Sequence, residues 1–291
     1  MATLGPMTTS EYHEPRTALL SLRRLTNLLI LVLVGAFLTT AFTVAQVDLG
    51  KLAKGLPKIA TWLVQMFPPD LSEIRIILFA AFQTLAMATV GTIFALLIAA
   101  PLVPLAARNT TPNMVVYRLV RGLFSVFRGT EMLVFALIFV AAVGFGPFTG
   151  VLAITFNMIG ALGKLLTEVI EPADPGPIEA LSLTGAGPIT KFRYALIPDV
   201  WPNIVSVALY IWEFNVRAST VLGIVGAGGI GQILKDSIDL LDFPKLCTVL
   251  LTILAMVISI DTLSGWLRRR VLDPDRGAIA PLSLATRISR T

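Results

Sequence analysis

Apolar residues run through this chain in long segments that shorter polar stretches separate. A helix needs about 20 apolar residues to cross the hydrocarbon core of a bilayer. Six segments approach or exceed that length, at 25–45, 74–100, 131–145, 147–170, 200–222 and 245–267. The third is short, so we expect it to include part of the stretch that begins near Val115. The pattern predicts an all-α protein, a polytopic membrane helix bundle with about six transmembrane helices.

The segment between the first two spans has a different periodicity. Leu52, Leu56, Ile59 and Leu63 recur at steps of three or four residues, the spacing that places apolar side chains on one face of a helix. Such an amphipathic helix lies in the outer membrane interface or offers a docking surface to a partner. The sequence leaves both interpretations open.

Composition narrows the class of protein further. The chain is 55% hydrophobic and 14% charged, whereas a soluble domain carries about 25% charged residues. The net charge of +5 does not indicate a nucleic-acid partner, because the arginines are spread between apolar segments, where basic residues mark membrane topology. The lone Cys247 allows no disulfide within the chain, and the lone His13 cannot form a metal site by itself. We expect a membrane protein with no cofactor and no metal.

Basic residues predict the orientation, because they are enriched in cytoplasmic loops. If six helices alternate, most of the basic residues fall on one side of the membrane, which we take as the cytoplasm. Both termini are then cytoplasmic, in a multi-pass protein of the plasma (inner) membrane. The residues that decide this are Arg16, Arg23, Arg24, Arg108, Arg118, Arg121, Arg128, Lys191, Arg193, Arg268, Arg269, Arg270 and Arg276.

The cytoplasmic loop between the fourth and fifth spans has an unusual proline and glycine pattern. Pro177 suits the first turn of a short helix, and Gly185 suits the left-handed position that ends one. Pro188 then begins a second short helix that runs toward Pro198. The loop therefore predicts a helix, a glycine hinge and a helix. Such an elbow would carry force from an outside motor into the bundle; the plainer alternative is an ordinary interhelical loop.

The spacing within this loop resembles the EAA loop of ABC importer permeases. The glutamate-alanine pair is followed at the family spacing by a glycine and then by the isoleucine-proline pair, with conservative departures at Leu181, Ala195 and Ile197. The resemblance implies that residues around 177–190 form a coupling helix that docks on a separate ATPase subunit. The coupling residues would be Glu179, Ala180, Leu181, Gly185, Ile197 and Pro198.

More of the chain, about residues 25–272, is similar to one branch of that family, the phosphonate transporter permeases. The stretches that carry the similarity are Pro68–Asp70, Glu131–Ala153, Gly163–Glu168 and Glu213–Gly231. Thr130 departs from the proline that the branch places before the glutamate, which puts the local bend there in question.

The resemblance implies a type I ABC importer permease fold with five core helices and one added at the N-terminus. It implies a second permease copy, identical or paralogous, ABC ATPase subunits and an extracytoplasmic solute-binding protein. The expected cargo is phosphonate or a related phosphorus oxyanion such as phosphite or phosphate. The expected organisation is a tail at 1–24, an added transmembrane helix at 25–46, an outer amphipathic segment at 47–73, a permease core at 74–270 with its coupling loop at about 172–198, and a tail at 271–291.

Two charged residues, Glu213 and Arg217, lie four apart in the fifth span and so share a helix face. Charges in hydrocarbon must pair or face a wet cavity. The two residues form either a structural ion pair or part of a translocation pathway in which Arg217 meets an oxyanion. Asn157, Asn215 and Lys164 are weaker candidates for the same polar stripe, and we expect Asp261 to pair locally with the basic residues at 268–270.

The glycines that follow the fifth span, Gly226, Gly228, Gly229 and Gly231, satisfy the G-x-G-x-x-G spacing of dinucleotide sites. Such a site needs a preceding strand, and here a membrane helix precedes. We expect close backbone packing and an outer gate instead, or a loop that simply ends a helix.

No G-x-x-x-x-G-K-[ST] phosphate loop occurs in the sequence, so we expect a non-catalytic transport subunit whose ATP hydrolysis is done by another chain. The alternatives are an importer permease of the same fold for another solute such as methionine, a stand-alone secondary transporter, or a membrane-embedded enzyme. No inverted repeat supports the secondary transporter, and no catalytic set supports the enzyme.

Overall fold

The computed structural model describes residues 22–111 and 113–272, and these form α-helices with no strand among them. The predicted tails, 1–24 and 271–291, lie almost entirely outside these residues. Two π-helical turns, Phe192–Leu196 and Gly223–Ala227, flank the ninth helix. The helices are α1 (Leu22–Val44), α2 (Leu49–Gln65), α3 (Ile74–Ala106), α4 (Met114–Gly129), α5 (Met132–Val143), α6 (Pro147–Ile170), α7 (Pro175–Leu183), α8 (Pro188–Lys191), α9 (Ile197–Leu222), α10 (Ile230–Asp239) and α11 (Phe243–Leu272).

The chain divides into two units, Met1–Thr61 and Trp62–Thr291. The first contains α1, which is apolar over Leu25–Val44 and long enough to cross a membrane. It also contains most of α2, so the predicted amphipathic segment does form a helix. The apolar side chains of α2 are exposed, as expected of a helix whose apolar face meets lipid or a partner.

In the second unit, α6 is the central helix, packed against α3, α4, α5 and α9. In the most apolar stretch of α6, 67% of the residues are buried, against 39% in that of α3. Small residues make this packing possible, as is usual between membrane helices. A Cβ on Gly91 of α3 would meet Ile154, and one on Gly163 of α6 would overlap the ring of Phe124. The close contacts between these helices therefore depend on the glycines.

The predicted third span corresponds to a bent pair of helices. The helix begins at Met114, close to the predicted Val115, and the axes of α4 and α5 then differ by 85°. The bend falls at Thr130, which is extended, so the bend exists without the proline of the family pattern. The Asn157 side-chain amide donates a 2.7 Å hydrogen bond to the Thr130 carbonyl, which satisfies a backbone acceptor that the break frees from the helix.

Within residues 22–111 and 113–272, five helices are long and apolar enough to cross a membrane, or six if the bent pair counts as one span. This confirms the predicted number of spans, although some boundaries differ. The second span continues past Pro101 and Pro104 to Ala106, and the fifth is continuous from Pro188 to Ala227. The short helix α10 was not predicted, although Ile230, Ile233 and Leu234 have helical spacing.

Candidate functional site

The predicted elbow, residues 175–191, is present between α6 and α9. Asp174 caps α7 by accepting a hydrogen bond from the Gly176 amide at 2.9 Å. The helix begins at Pro175, two residues before the predicted start, and Gly185 follows its end with a left-handed φ of +76°. The chain then enters α8 at Pro188. The helix, glycine hinge and helix predicted from the sequence are thus confirmed.

The elbow is anchored on one side and exposed on the other. Ile178 packs against a buried cluster that includes Leu166, Ile170 and Leu196. By contrast, Leu183 is 91% exposed and Ile189 is 83% exposed. Glu179, Ala180 and Gly185 are exposed, and Leu181 is half-buried. Apolar side chains held this far out on a fixed support are typical of an interaction surface.

Farther along the loop, Ile197 and Pro198 form the first turn of α9. Proline is favoured there because its missing N–H is not needed by the helix. The π-helical turn Phe192–Leu196 joins α8 to this position. The isoleucine-proline pair thus lies where the elbow becomes a membrane helix.

A polar network fixes the end of the bundle from which the elbow leaves. The Glu171 carboxylate accepts from the Arg108 backbone N–H at 3.1 Å and from the Arg121 guanidinium at 3.0 Å. The Tyr117 hydroxyl accepts from both guanidinium groups, at 3.0 Å from Arg108 and 2.5 Å from Arg121. The bond to Tyr117 raises the pKa of the Arg108 guanidinium above its ordinary value.

This network joins the ends of α3, α4 and α6, four residues before α7 begins. Sequence reasoning did not single it out. The available signal was local: Tyr117 and Arg121 are four apart on one helix, and Glu171 follows directly after an apolar span.

The predicted pair of Glu213 and Arg217 forms on α9, with 2.6 Å between the carboxylate and the guanidinium. Arg268 of α11 is a second cation, 3.7 Å from the other carboxylate oxygen. The Glu213 side chain is 17% exposed and the Arg217 side chain 48% exposed. The carboxylate therefore links two spans, and Arg217 reaches outward from them.

The expectation for Asp261 was wrong. It is exposed, and no ion pair involving it occurs within residues 22–111 and 113–272. Arg268 lies two helical turns farther along α11, about 10 Å at 1.5 Å per residue, so Glu213 on the neighbouring helix is the nearer acid.

The remaining pathway candidates do not share a face with this pair. Asn215 is fully buried and donates to the Thr92 hydroxyl of α3 at 2.8 Å. It stands two residues after Glu213, which places it on the opposite side of α9. Asn157, on α6, is occupied at the bend of the third span. The structure therefore brings Glu213 and Arg217 together and places both asparagines elsewhere in the packing.

The glycine loop, residues 223–231, is packed tightly against the bundle. Gly226, Gly228 and Gly229 have φ values of +98°, +79° and +73°. A Cβ on Gly231 would overlap the Thr220 carbonyl. The close backbone packing predicted for this loop is thus observed. A helix precedes it, so the strand that a dinucleotide site requires is missing.

Two residues of α3 that sequence reasoning missed hold this loop. The Gly229 amide donates to the Gln83 side-chain oxygen at 3.0 Å, and the Ile230 amide donates to the Thr84 hydroxyl at 2.9 Å. The Gly146 amide, in the turn before α6, donates to the Gly226 carbonyl at 3.0 Å. The signal for Gln83 and Thr84 was that two polar residues stand side by side within a mostly apolar span.

Comparison with known proteins agrees with this architecture. Residues 91–273 match the family described as binding-protein-dependent transport system inner membrane component. HtxC of Stutzerimonas stutzeri, a permease protein assigned by its name to a phosphite transport system, is 58% identical over 84% of this chain and 87% of its own length. The phosphite transport system permease protein PtxC of the same organism is 41% identical over 82% of this chain and 86% of its own length.

Solved structures show the same fold. The inward-facing MetNI methionine ABC transporter contains a chain that aligns over 69% of this one and 99% of its own length, with a TM-score of 0.62 and 22% identity. At that identity the likeness establishes the fold alone, whereas the family match and the two permease relatives extend over most of the sequence. The chain belongs to the family of binding-protein-dependent transport system inner membrane components, and it has the fold of an ABC importer permease.

Proposed function

We propose that this chain forms the membrane pathway of an ATP-driven importer for phosphite, phosphonate or a related phosphorus oxyanion. The observation that carries the proposal is the 58% identity to a permease protein named for phosphite transport, over 84% of this chain. A second relative named for phosphite transport supports it at 41% identity. Methionine as the cargo has weaker support, because the methionine transporter chain is only 22% identical.

In this proposal two permease copies surround the pathway, ATPase subunits bind on the cytoplasmic side, and a solute-binding protein delivers the anion from outside. Both chain termini are cytoplasmic, as the distribution of basic residues favours. Segment 47–73 lies at the outer face, and α2 meets the membrane interface there.

The elbow is the docking element for the ATPase. Its support is structural: Leu183 and Ile189 project into solvent while Ile178 fixes the base of α7. The network around Glu171 joins this base to three membrane-spanning segments. A displacement of α7 by the ATPase would therefore reach the bundle through a short, hydrogen-bonded connection.

The glycine loop is the outer gate, and Glu213 with Arg217 is the polar element of the pathway. The role of the ion pair is supported by Arg217, whose side chain is 48% exposed and extends beyond the pair. The role of the glycine loop is supported by its position, because it follows the same helix, α9, directly after Leu222.

Reconstitution tests this function. The chain is placed in proteoliposomes together with its ATPase and solute-binding protein, and uptake of phosphite, methylphosphonate, phosphate and methionine is compared. We expect uptake of a phosphorus oxyanion that requires both ATP and the binding protein. Uptake of methionine alone, or uptake driven by an ion gradient without ATP, would contradict the proposal.

A further inference from the structure

A polar cavity of about 250 Å³ lies between α4 and α6, away from the Glu213–Arg217 pair. Phe124 forms part of its wall and is fixed against Gly163, where a Cβ would overlap the ring. The cavity is near the end of α6 from which the elbow leaves, because Lys164 stands six residues before Ile170. Its lining residues are Arg121, Phe124, Ser125, Lys164, Thr167 and Glu168.

The charges around this cavity are unequally compensated. Arg121 is paired with Glu171 at 3.0 Å. Lys164 is half-buried, yet within the part of the chain that the structure describes it has neither an ion pair nor a side-chain hydrogen bond. Glu168 is one turn away and exposed, and no ion pair joins it to Lys164. A partly buried cation in a membrane-spanning helix is unfavourable unless it faces water or an anion, and such residues mark ion pathways.

The chemistry of the lining suits one class of anion. The Lys164 ammonium is a donor for negatively charged oxygens. The Arg121 guanidinium keeps further N–H groups beyond the two that Tyr117 and Glu171 accept. The Ser125 hydroxyl already donates to the Arg121 carbonyl at 2.8 Å, so its oxygen is available to accept. The Glu168 carboxylate at the rim is an acceptor as well. Cationic donors beside acceptors fit an anion that carries both P–O⁻ and P–OH groups. With a second pKa of about 6, a phosphorus oxyanion still carries that proton in part of its population near neutral pH.

We propose that the α4–α6 cavity is a binding site for a singly protonated phosphorus oxyanion within the permease, with Lys164 as the residue that contacts the anion charge. The site rests on the proposed function and adds a location, a residue and a protonation state to it. Sulfate is also a tetrahedral oxyanion, but it has no acidic proton at neutral pH. It would leave the acceptors of Ser125 and Glu168 facing negative oxygens, so the site should reject it.

Cysteine chemistry tests the proposal in the complete importer. The chain has one cysteine, so Cys247→Ala with Lys164→Cys leaves one thiol in the permease. We expect uptake to fall about tenfold, the factor for losing one charge-assisted contact. Aminoethyl methanethiosulfonate, which restores a cation of similar length, should restore uptake, whereas the sulfonatoethyl reagent should not.

Protection of the introduced cysteine from the thiol reagent is a second measurement, and a purely structural role of Lys164 would not produce it. Phosphite or inorganic phosphate should slow modification of the introduced cysteine, measured from the mass of the permease, and sulfate at equal ionic strength should not. The matched control is Lys235→Cys, an exposed lysine on α10, which should keep normal uptake and show no protection. If Lys164→Cys no longer co-purifies with the ATPase, Lys164→Arg replaces it as the test variant. Lys164→Arg keeps the charge and should keep most of the uptake.

The outcomes separate this inference from the proposed function. Normal oxyanion uptake by Lys164→Cys, rescue by either reagent regardless of its charge, or equal protection by sulfate overturns the cavity site while transport by the unmodified importer still supports the function. An unmodified importer that takes up no phosphorus oxyanion overturns the function and the site together.

Discussion

Glycine has opposite structural roles in the elbow and in the glycine loop. Gly185 has a φ of +76°, and a Cβ built on it would meet nothing within 4 Å. Gly231 has no left-handed φ, but its Cβ would overlap the Thr220 carbonyl. In the elbow, glycine supplies a backbone conformation in open space. In the loop, glycine is needed because two backbone segments touch there and leave no room for a side chain.

The difference indicates how each segment can work. The elbow is exposed and free to be covered by a partner. The loop is held by hydrogen bonds from its amides to Gln83 and Thr84. If the loop opens as a gate, those two bonds must break or move with α3. The elbow should therefore tolerate substitution as far as folding is concerned, whereas the loop should not.

The largest expected effect is that of Gly231→Ala. The added methyl group meets backbone atoms that cannot rotate away, so the loop or the end of α9 must shift. Overpacking of this kind costs about 3 kcal/mol or more in the free energy of unfolding. Thermal melting of the purified permease in detergent measures it, and we expect a large fall in melting temperature and in yield.

The matched control is Gly122→Ala in α4, where a Cβ meets nothing within 4 Å. Alanine is the better helix former by about 1 kcal/mol, so stability should stay equal or rise. Equal melting temperatures for the two variants would show that the overlap of the added methyl group with the backbone is not what makes Gly231 necessary.

Gly185→Asp should produce the next largest effect, on binding to the ATPase and not on folding. The left-handed conformation costs a non-glycine residue about 1 kcal/mol, and aspartate adds a charge to the proposed docking surface. We expect the permease to insert normally but to lose the ATPase on co-purification, with stimulated hydrolysis reduced at least about tenfold.

Gly187 provides the comparison at the same surface. Its φ of −70° is accessible to any residue, and nothing lies within 4 Å of its Cβ position. Gly187→Asp adds the same charge without the backbone strain. If both variants lose the ATPase equally, the charge alone is responsible; normal ATPase yield with Gly185→Asp would refute the docking role of the elbow.

The contrast also explains how much could be predicted from the sequence. The elbow was predictable because its determinants are local: prolines begin its helices and a glycine ends the first. The spans were predictable from apolar length. The bend at Thr130 was not, because the group that satisfies the free carbonyl is Asn157, 27 residues away.

Other parts of the site were hidden for the same reason. Gln83 and Thr84 contact the glycine loop from 146 residues away, and no spacing rule relates them. Arg268 of α11 contacts Glu213 of the neighbouring α9. The expectation that it pairs with Asp261 on its own helix therefore failed. Four-residue spacing predicted the pair of Glu213 and Arg217, but it could not show that Asn215 faces the opposite way.

A smaller effect tests whether the Glu213 pair behaves as packed structure, like the glycine loop, or as an exposed element, like the elbow. Glu213→Gln leaves both Arg217 and Arg268 without their acid, whereas Arg217→Gln leaves Glu213 with Arg268 at 3.7 Å. We therefore expect Glu213→Gln to be the more destabilising variant. The double variant should recover part of the loss, with a coupling of about 1 kcal/mol.

Melting temperatures of the three variants measure this coupling, and vesicle uptake with binding protein and ATPase measures transport. Additive losses without recovery would rule out a stabilising pair. If Glu213→Gln still transports while Arg217→Gln and the double variant are folded but inactive, Arg217 serves the anion directly.

The smallest effect should come from Tyr117→Phe, at the root of the elbow. The change removes one hydroxyl that accepts from Arg108 at 3.0 Å and from Arg121 at 2.5 Å, but Arg121 keeps Glu171 and water can replace the lost acceptor. The stability loss should stay below about 1 kcal/mol. If the network transmits motion of α7 to the bundle, the variant should hydrolyse more ATP for each anion transported. Tyr194→Phe is the control, because that tyrosine is 65% exposed and stands beside the same elbow. An unchanged ratio of ATP to transport in Tyr117→Phe would show that the network only holds the helices together, which would leave the exposed face of α7 as the sole functional part of the elbow.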